Sequence, residues 1–174
     1  MANTNTIYTA RAAASLSNPT AASTFVLSSN SAKAASVYFP VLPSYVTSAW
    51  FRFRARGRAT TVGSHNVTPK VDYGVSVTAG SNTAIAAATA RAVATTTAAW
   101  IIEGLLYWDS TSKTLKGSFS AENGSTAVLD STAATTTVTS VDLTTAGLGL
   151  TVEITIATGG GDIGYLDELS LEAM

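Results

Sequence analysis

Residues 49–60 read AWFRFRARGRAT, a strict alternation over more than ten positions. Arg52, Arg54, Arg56 and Arg58 share one parity, and Phe51, Phe53 and Ala55 share the other. Side chains alternate across a β-strand with period two, so this stretch predicts a strand with one apolar and one cationic face. The same period recurs downstream. VDYGVSV (71–77) puts Val71, Tyr73, Val75 and Val77 together, and TLKGSFSA (114–121) aligns Leu115, Gly117, Phe119 and Ala121. LGLTVEITIAT (148–158) sets Leu148, Leu150, Val152, Ile154 and Ile156 against Thr151, Glu153 and Thr155. WIIEGLLYWD (100–109) is apolar on both faces and reads as a central strand. IGYLDELSLE (163–172) closes the chain as a further strand.

Turn signals separate these runs. DSTSK (109–113) and ENGS (122–125), with its Asn123-Gly124 pair, read as hairpin loops, and TGGGD (158–162) as a flexible turn. Pro40 and Pro43 place VYFPVLPSYV (37–46) at an edge or in a connection. The alanine-rich stretch 84–99 could form a helix, but Thr95-Thr96-Thr97 and the flanking strands favour extended structure. Many short strands with little helix predict an all-β fold: a single antiparallel β-sandwich of jelly-roll type spanning residues 1–174, with a flexible N-terminal arm at 1–6.

Composition narrows function chiefly by exclusion. There is no cysteine, so no disulfide or thiolate metal site. The N-terminus lacks the charged and apolar regions of a signal peptide, and no apolar run approaches the roughly 18 residues of a membrane span. A soluble, unprocessed protein with no membrane partner is expected. His65, the single histidine, sits in VGSHNVT and reads as a loop residue; no G-x-S-x-G, zinc spacing or phosphate-binding glycine loop accompanies it. No enzyme activity, cofactor or metal is expected. Asp162, Asp167 and Glu168 lie close together, but a calcium site there is the lesser reading beside a simple turn.

Charge is unevenly distributed. Residues 1–100 carry eight Lys/Arg against Asp72 alone, and residues 101–174 carry two Lys against ten acids; +7 and −8 give the net −1. Either the two halves interleave in one fold, or the molecule has a basic and an acidic surface. The arginine row would extend about 20 Å along a strand. Its charges call for acids, either on neighbouring strands, such as Glu103 or Glu153, or on a partner. Nucleic acid fits less well, because the chain is slightly acidic overall. An interface built from Arg52, Arg54, Arg56, Arg58 and Trp50 is the sharper expectation.

Two stretches, YVTSAWFRFRARGRA and GYLDELSLE, resemble strands of jelly-roll carbohydrate-binding modules. The Ala/Thr/Ser/Gly-rich body and the segment AAWIIEGLLYWDSTSKTLKGSFSAENG resemble virion structural proteins of tailed bacteriophages. The second resemblance implies a capsid decoration or head accessory protein, made in the host cytoplasm and carried on the virion. Its partners would be the major capsid protein and copies of itself, as a homo-oligomer such as a trimer. The first implies a carbohydrate-binding or receptor-binding module of a fibre or tail, which would need exposed aromatics; Trp50, Trp108, Tyr45 and Tyr107 are candidates. By parity Trp50 lies on the arginine face, whereas Trp108 belongs to the core.

Overall fold

The computed structural model describes residues 8–10, 14–17, 19, 23–27, 30–93, 97–123, 136–157 and 160–174. The strands in chain order are β1 (Tyr8–Ala10), β2 (Ala14–Ser17), β3 (Ser23–Thr24), β4 (Val26–Leu27), β5 (Asn30–Ala34), β6 (Val37–Tyr38), β7 (Ser48–Thr60) and β8 (His65–Tyr73). They continue as β9 (Thr83–Ala87), β10 (Arg91–Val93), β11 (Thr97–Asp109), β12 (Thr114–Asn123), β13 (Thr136–Thr139), β14 (Gly149–Ile156) and β15 (Ile163–Ala173). No helix occurs among the described residues. Of the alanine-rich stretch 84–99, residues 84–87, 91–93 and 97–99 lie in strands, and residues 94–96, with Thr95 and Thr96, lie outside the described residues. The predicted arm at 1–6 and the Gly124-Ser125 part of the ENGS turn lie outside the described residues.

All pairings are antiparallel. The front sheet runs β1-β15-β7-β11-β12-β13, with β2 pairing the other end of β15. The back sheet runs β10-β8-β14-β3, with β9 on β8 and β6 on β14; β4 and β5 form a separate ribbon. This is an antiparallel β-sandwich of jelly-roll type. The long strands β7 and β11 pair over their whole length, which fixes the front sheet's centre.

Period two decides what fills the space between the sheets. Phe51, Phe53 and Ala55 from β7, Trp100, Ile102, Leu106 and Trp108 from β11, and Leu166, Leu169 and Leu171 from β15 are buried against Val67, Val71, Leu150, Val152, Ile154 and Ile156 of the back sheet. Removing that much apolar surface from water is the main stabilising term. Trp108 anchors one end of the core, its Nε1 donating to the Val141 carbonyl at 2.9 Å. Pro69, with no amide hydrogen to offer, lies on β8 between the residues paired with β10 and those paired with β9.

Two expectations change. VDYGVSV is a strand only to Tyr73; Gly74 has φ 132° and starts a connection through residue 82. That connection folds over the outer face of the back sheet, where Gly80 N donates to Glu153 Oε1 at 3.0 Å and Asn82 Nδ2 to Thr151 Oγ1 at 3.2 Å. Thr151 and Glu153 are therefore buried. His65 is not in a loop: it opens β8 and pairs with Val93 of β10.

Candidate functional site

The arginine row lies on the outer face of the front sheet, with Phe51, Phe53 and Ala55 turned into the core. Register then places residues of the acid-rich second half of the chain beside it. Across β7, Arg52 stands opposite Glu172 of β15 and Leu105 of β11, Arg54 opposite Ser170 and Glu103, Arg56 opposite Glu168 and Ile101, and Arg58 opposite Tyr165 and Ala99. The basic and acidic halves of the sequence are thus interleaved strand by strand.

Acids of the same sheet stand beside three of the arginines. Arg56 Nε lies 2.7 Å from Glu168 Oε2, and Arg54 Nε 3.8 Å from Glu103 Oε2. Arg58 grips Asp167 with both arms of its fork, Nε to Oδ2 and Nη2 to Oδ1 at 2.9 Å each, while its guanidinium lies 4.9 Å from the Tyr165 ring centre. The hydrogen bond and charge of Asp167 raise the pKa of Arg58 further. A β-bulge between Leu166 and Glu168 adds one residue to β15, and the two consecutive acids Asp167 and Glu168 reach adjacent arginines because of it. Arg52 has no ion pair among the described residues.

Of the acids weighed from sequence, Glu103 is beside the row and Glu153 is not. Glu153 belongs to the back sheet, where its Oε2 lies 2.9 Å from Lys70 Nζ. The acids Asp162, Asp167 and Glu168 do not converge on a calcium site. Asp162 is 2.7 Å from His65 Nδ1 and accepts from Val62 N, and the other two face Arg58 and Arg56. Among the described residues no cluster of three or more His, Cys, Asp or Glu could hold a metal.

One row beyond Arg52 the face turns aromatic. Trp50, 50% exposed, is directly opposite Tyr107, with ring centres 4.9 Å apart at 45°. Met174 lies on the other flank, exposed, its amide donating to the Trp50 carbonyl at 3.0 Å. Tyr45 is exposed in the connection leading into β7, and Trp108 is buried. The aromatic pair adjoins a groove of about 570 Å³ whose lining includes Arg52, Arg54, Glu103, Leu105, Ser118 and Glu172. Sequence parity had located Trp50 on this face. It had not singled out Glu168 and Glu172, although Glu168, Ser170 and Glu172 alternate along IGYLDELSLE in a pattern complementary to the arginines.

The arrangement offers an aromatic shelf and, beside it, a trough in which guanidinium donors alternate with carboxylate and hydroxyl acceptors. Such a surface can hold a polar ligand by stacking and paired hydrogen bonds.

No protein-family model matches the chain, and no curated protein sequence does. Similar solved structures include a seed lectin of Lotus tetragonolobus, at 10% identity and a TM-score of 0.37 over 100% of this chain and 94% of that one. Another is arcelin-5, a lectin-like defence protein of Phaseolus vulgaris, at 7% identity and 0.35 over 100% and 95%. A third is the winged bean acidic lectin complexed with methyl-α-D-galactose, at 10% identity and 0.35 over 99% and 94%.

Proposed function

We propose that this protein is a non-enzymatic carbohydrate-binding module and that the outer face of its front sheet is the binding surface. The observation that carries the reading is the half-exposed Trp50, packed at a tilt against Tyr107 beside a groove lined by Arg52 and Glu172. A sugar ring has an apolar C–H face that packs on an aromatic ring, and a rim of hydroxyls that both donate and accept hydrogen bonds. Arginine supplies donors and carboxylates supply acceptors in the adjoining trough, which is the complement such a rim requires.

The expectation of an interface with an acidic partner leaned on a row of cations in need of acids. Acids of the same sheet now answer that need for Arg54, Arg56 and Arg58, so a ligand-binding face is the better reading of the same residues. Carriage on a virion remains compatible with it, and mass spectrometry of purified particles tests that setting.

The test of the binding reading is a glycan array probed with the full chain, followed by calorimetry on the strongest ligand. Trp50→Ala should weaken binding by about tenfold or more while circular dichroism stays unchanged. A folded protein that binds nothing on the array, or a Trp50→Ala variant with full affinity, overturns it.

A further inference from the structure

Resting on the carbohydrate-binding reading, we infer that the face takes a neutral, linear oligosaccharide laid along β7, rather than a single sugar or an acidic glycan. The length follows from a second groove. It measures about 450 Å³, lies on the same face next along the strand, and is lined by Arg56, Arg58, Ile101, Glu122 and Asp167 among others. The first groove includes Arg52 and Arg54, so the two follow one another along the arginine row. From Trp50 to Arg58 the strand advances about 26 Å. That is several sugar rings, and a single ring on the Trp50 shelf would leave the second groove empty.

The charge follows from counting both linings. Arg52, Arg54, Arg56 and Arg58 face Glu103, Glu122, Asp167, Glu168 and Glu172, four cations against five acids. An arginine row invites the reading of an anion track, and the pairing argues otherwise. Arg58 holds Asp167 in a bidentate pair and Arg56 holds Glu168 at 2.7 Å. At Arg56 and Arg58 a uronate or sulfate would have to break those pairs and then lie beside the displaced carboxylates, and at Arg52 it would lie against Glu172 on the neighbouring strand, an unfavourable exchange in each place. Neutral hydroxyls demand neither: they accept from guanidinium hydrogens that the acids leave free and donate to carboxylate oxygens. A neutral chain therefore uses both charges without separating them.

The experiment compares, for the neutral glycan class strongest on the array, a disaccharide and a hexasaccharide of one linkage, together with an acidic hexasaccharide. Affinities are measured by calorimetry on the full chain. The hexasaccharide should bind about tenfold or more tightly than the disaccharide, and the acidic chain more weakly than the neutral one. Arg58→Ala, and separately Glu122→Gln, should lower hexasaccharide affinity more than disaccharide affinity and so remove most of the gain from length, whereas Trp50→Ala should weaken both to a similar degree. Equal affinity for short and long neutral chains, or a preference for the acidic one, overturns this inference and leaves the binding reading standing. Absence of binding to every glycan by folded protein overturns both.

Discussion

Arg56 and Glu168 stand directly opposite each other on β7 and β15, with Nε 2.7 Å from Oε2. Half the arginine side chain is open to solvent, so water competes with the carboxylate for it. Exposed pairs of this kind contribute at most about 1 kcal/mol. Arg56→Ala should therefore lower unfolding free energy by less than about 1 kcal/mol in urea titration. R56E should cost more, because it faces Glu168 with a like charge, and the swapped double variant R56E/E168R should recover most of the loss. A loss of several kcal/mol from Arg56→Ala would show that the ladder holds the fold, contrary to its exposure.

The two buried tryptophans of β11 should respond differently to loss of their indole nitrogen. Trp108 Nε1 donates to Val141 O, whereas Trp100 Nε1 is buried with no partner among the described residues. Trp108→Phe strands a carbonyl and should cost about 1–2 kcal/mol more than Trp100→Phe. Trp100→Ala should cost about 3–5 kcal/mol, because it empties the space under Gly57. Chemical denaturation of the three variants checks the order.

Gly57 is the one residue of β7's inner face that cannot carry a side chain. A Cβ there would meet the Tyr165 carbonyl oxygen and the ring of Trp100. Gly57→Ala must push β15 or the indole aside and should cost about 1–3 kcal/mol, or more if the strand pairing shifts. Thermal unfolding followed by tryptophan fluorescence would report both the loss and the moved indole.

Stability should fall as pH rises from about 4 to about 7. Asp72 is fully buried, and burial together with the charge of Glu153 pushes its pKa from 3.8 up to about 7, with Lys70 opposing. In that window the folded chain keeps a proton that the unfolded chain has lost, so each step up in pH favours unfolding until the folded group has also ionised. Burial alone would raise Glu153, but the hydrogen bonds from Lys70 and Gly80 N hold it below its ordinary 4.5, so at the lower edge of the window it works against the Asp72 trend until the unfolded group has ionised. Lys70 is raised, since its acid partners outweigh its burial, and lies above the window. Asp72→Asn should flatten the profile of urea midpoint against pH between about 4 and 7. An unchanged slope in that variant would show that another group sets it.

Local sterics and hydrophobicity determined much of this molecule from the sequence. A period of two can only be a strand with two unlike faces. So the outward arginines, the outward Trp50, the buried Trp108 and the β-sandwich itself were legible in residues close together in the chain. Which acids stand beside which arginines was not. Glu168 and Asp167 are more than a hundred residues away from Arg56 and Arg58, and only the pairing of β15 with β7, including the extra residue at the bulge, brings them together. The burial of Asp72 and Glu153 was equally hidden, because alternation names the two faces of a strand and does not say what covers either. That was decided when the connection at 74–82 folded over the back sheet and supplied Gly80 N to Glu153. Side-chain parity is a property of the local backbone. Register, bulges and cover are set by the free energy of long-range packing, and these placed the donors and acceptors of the proposed binding face.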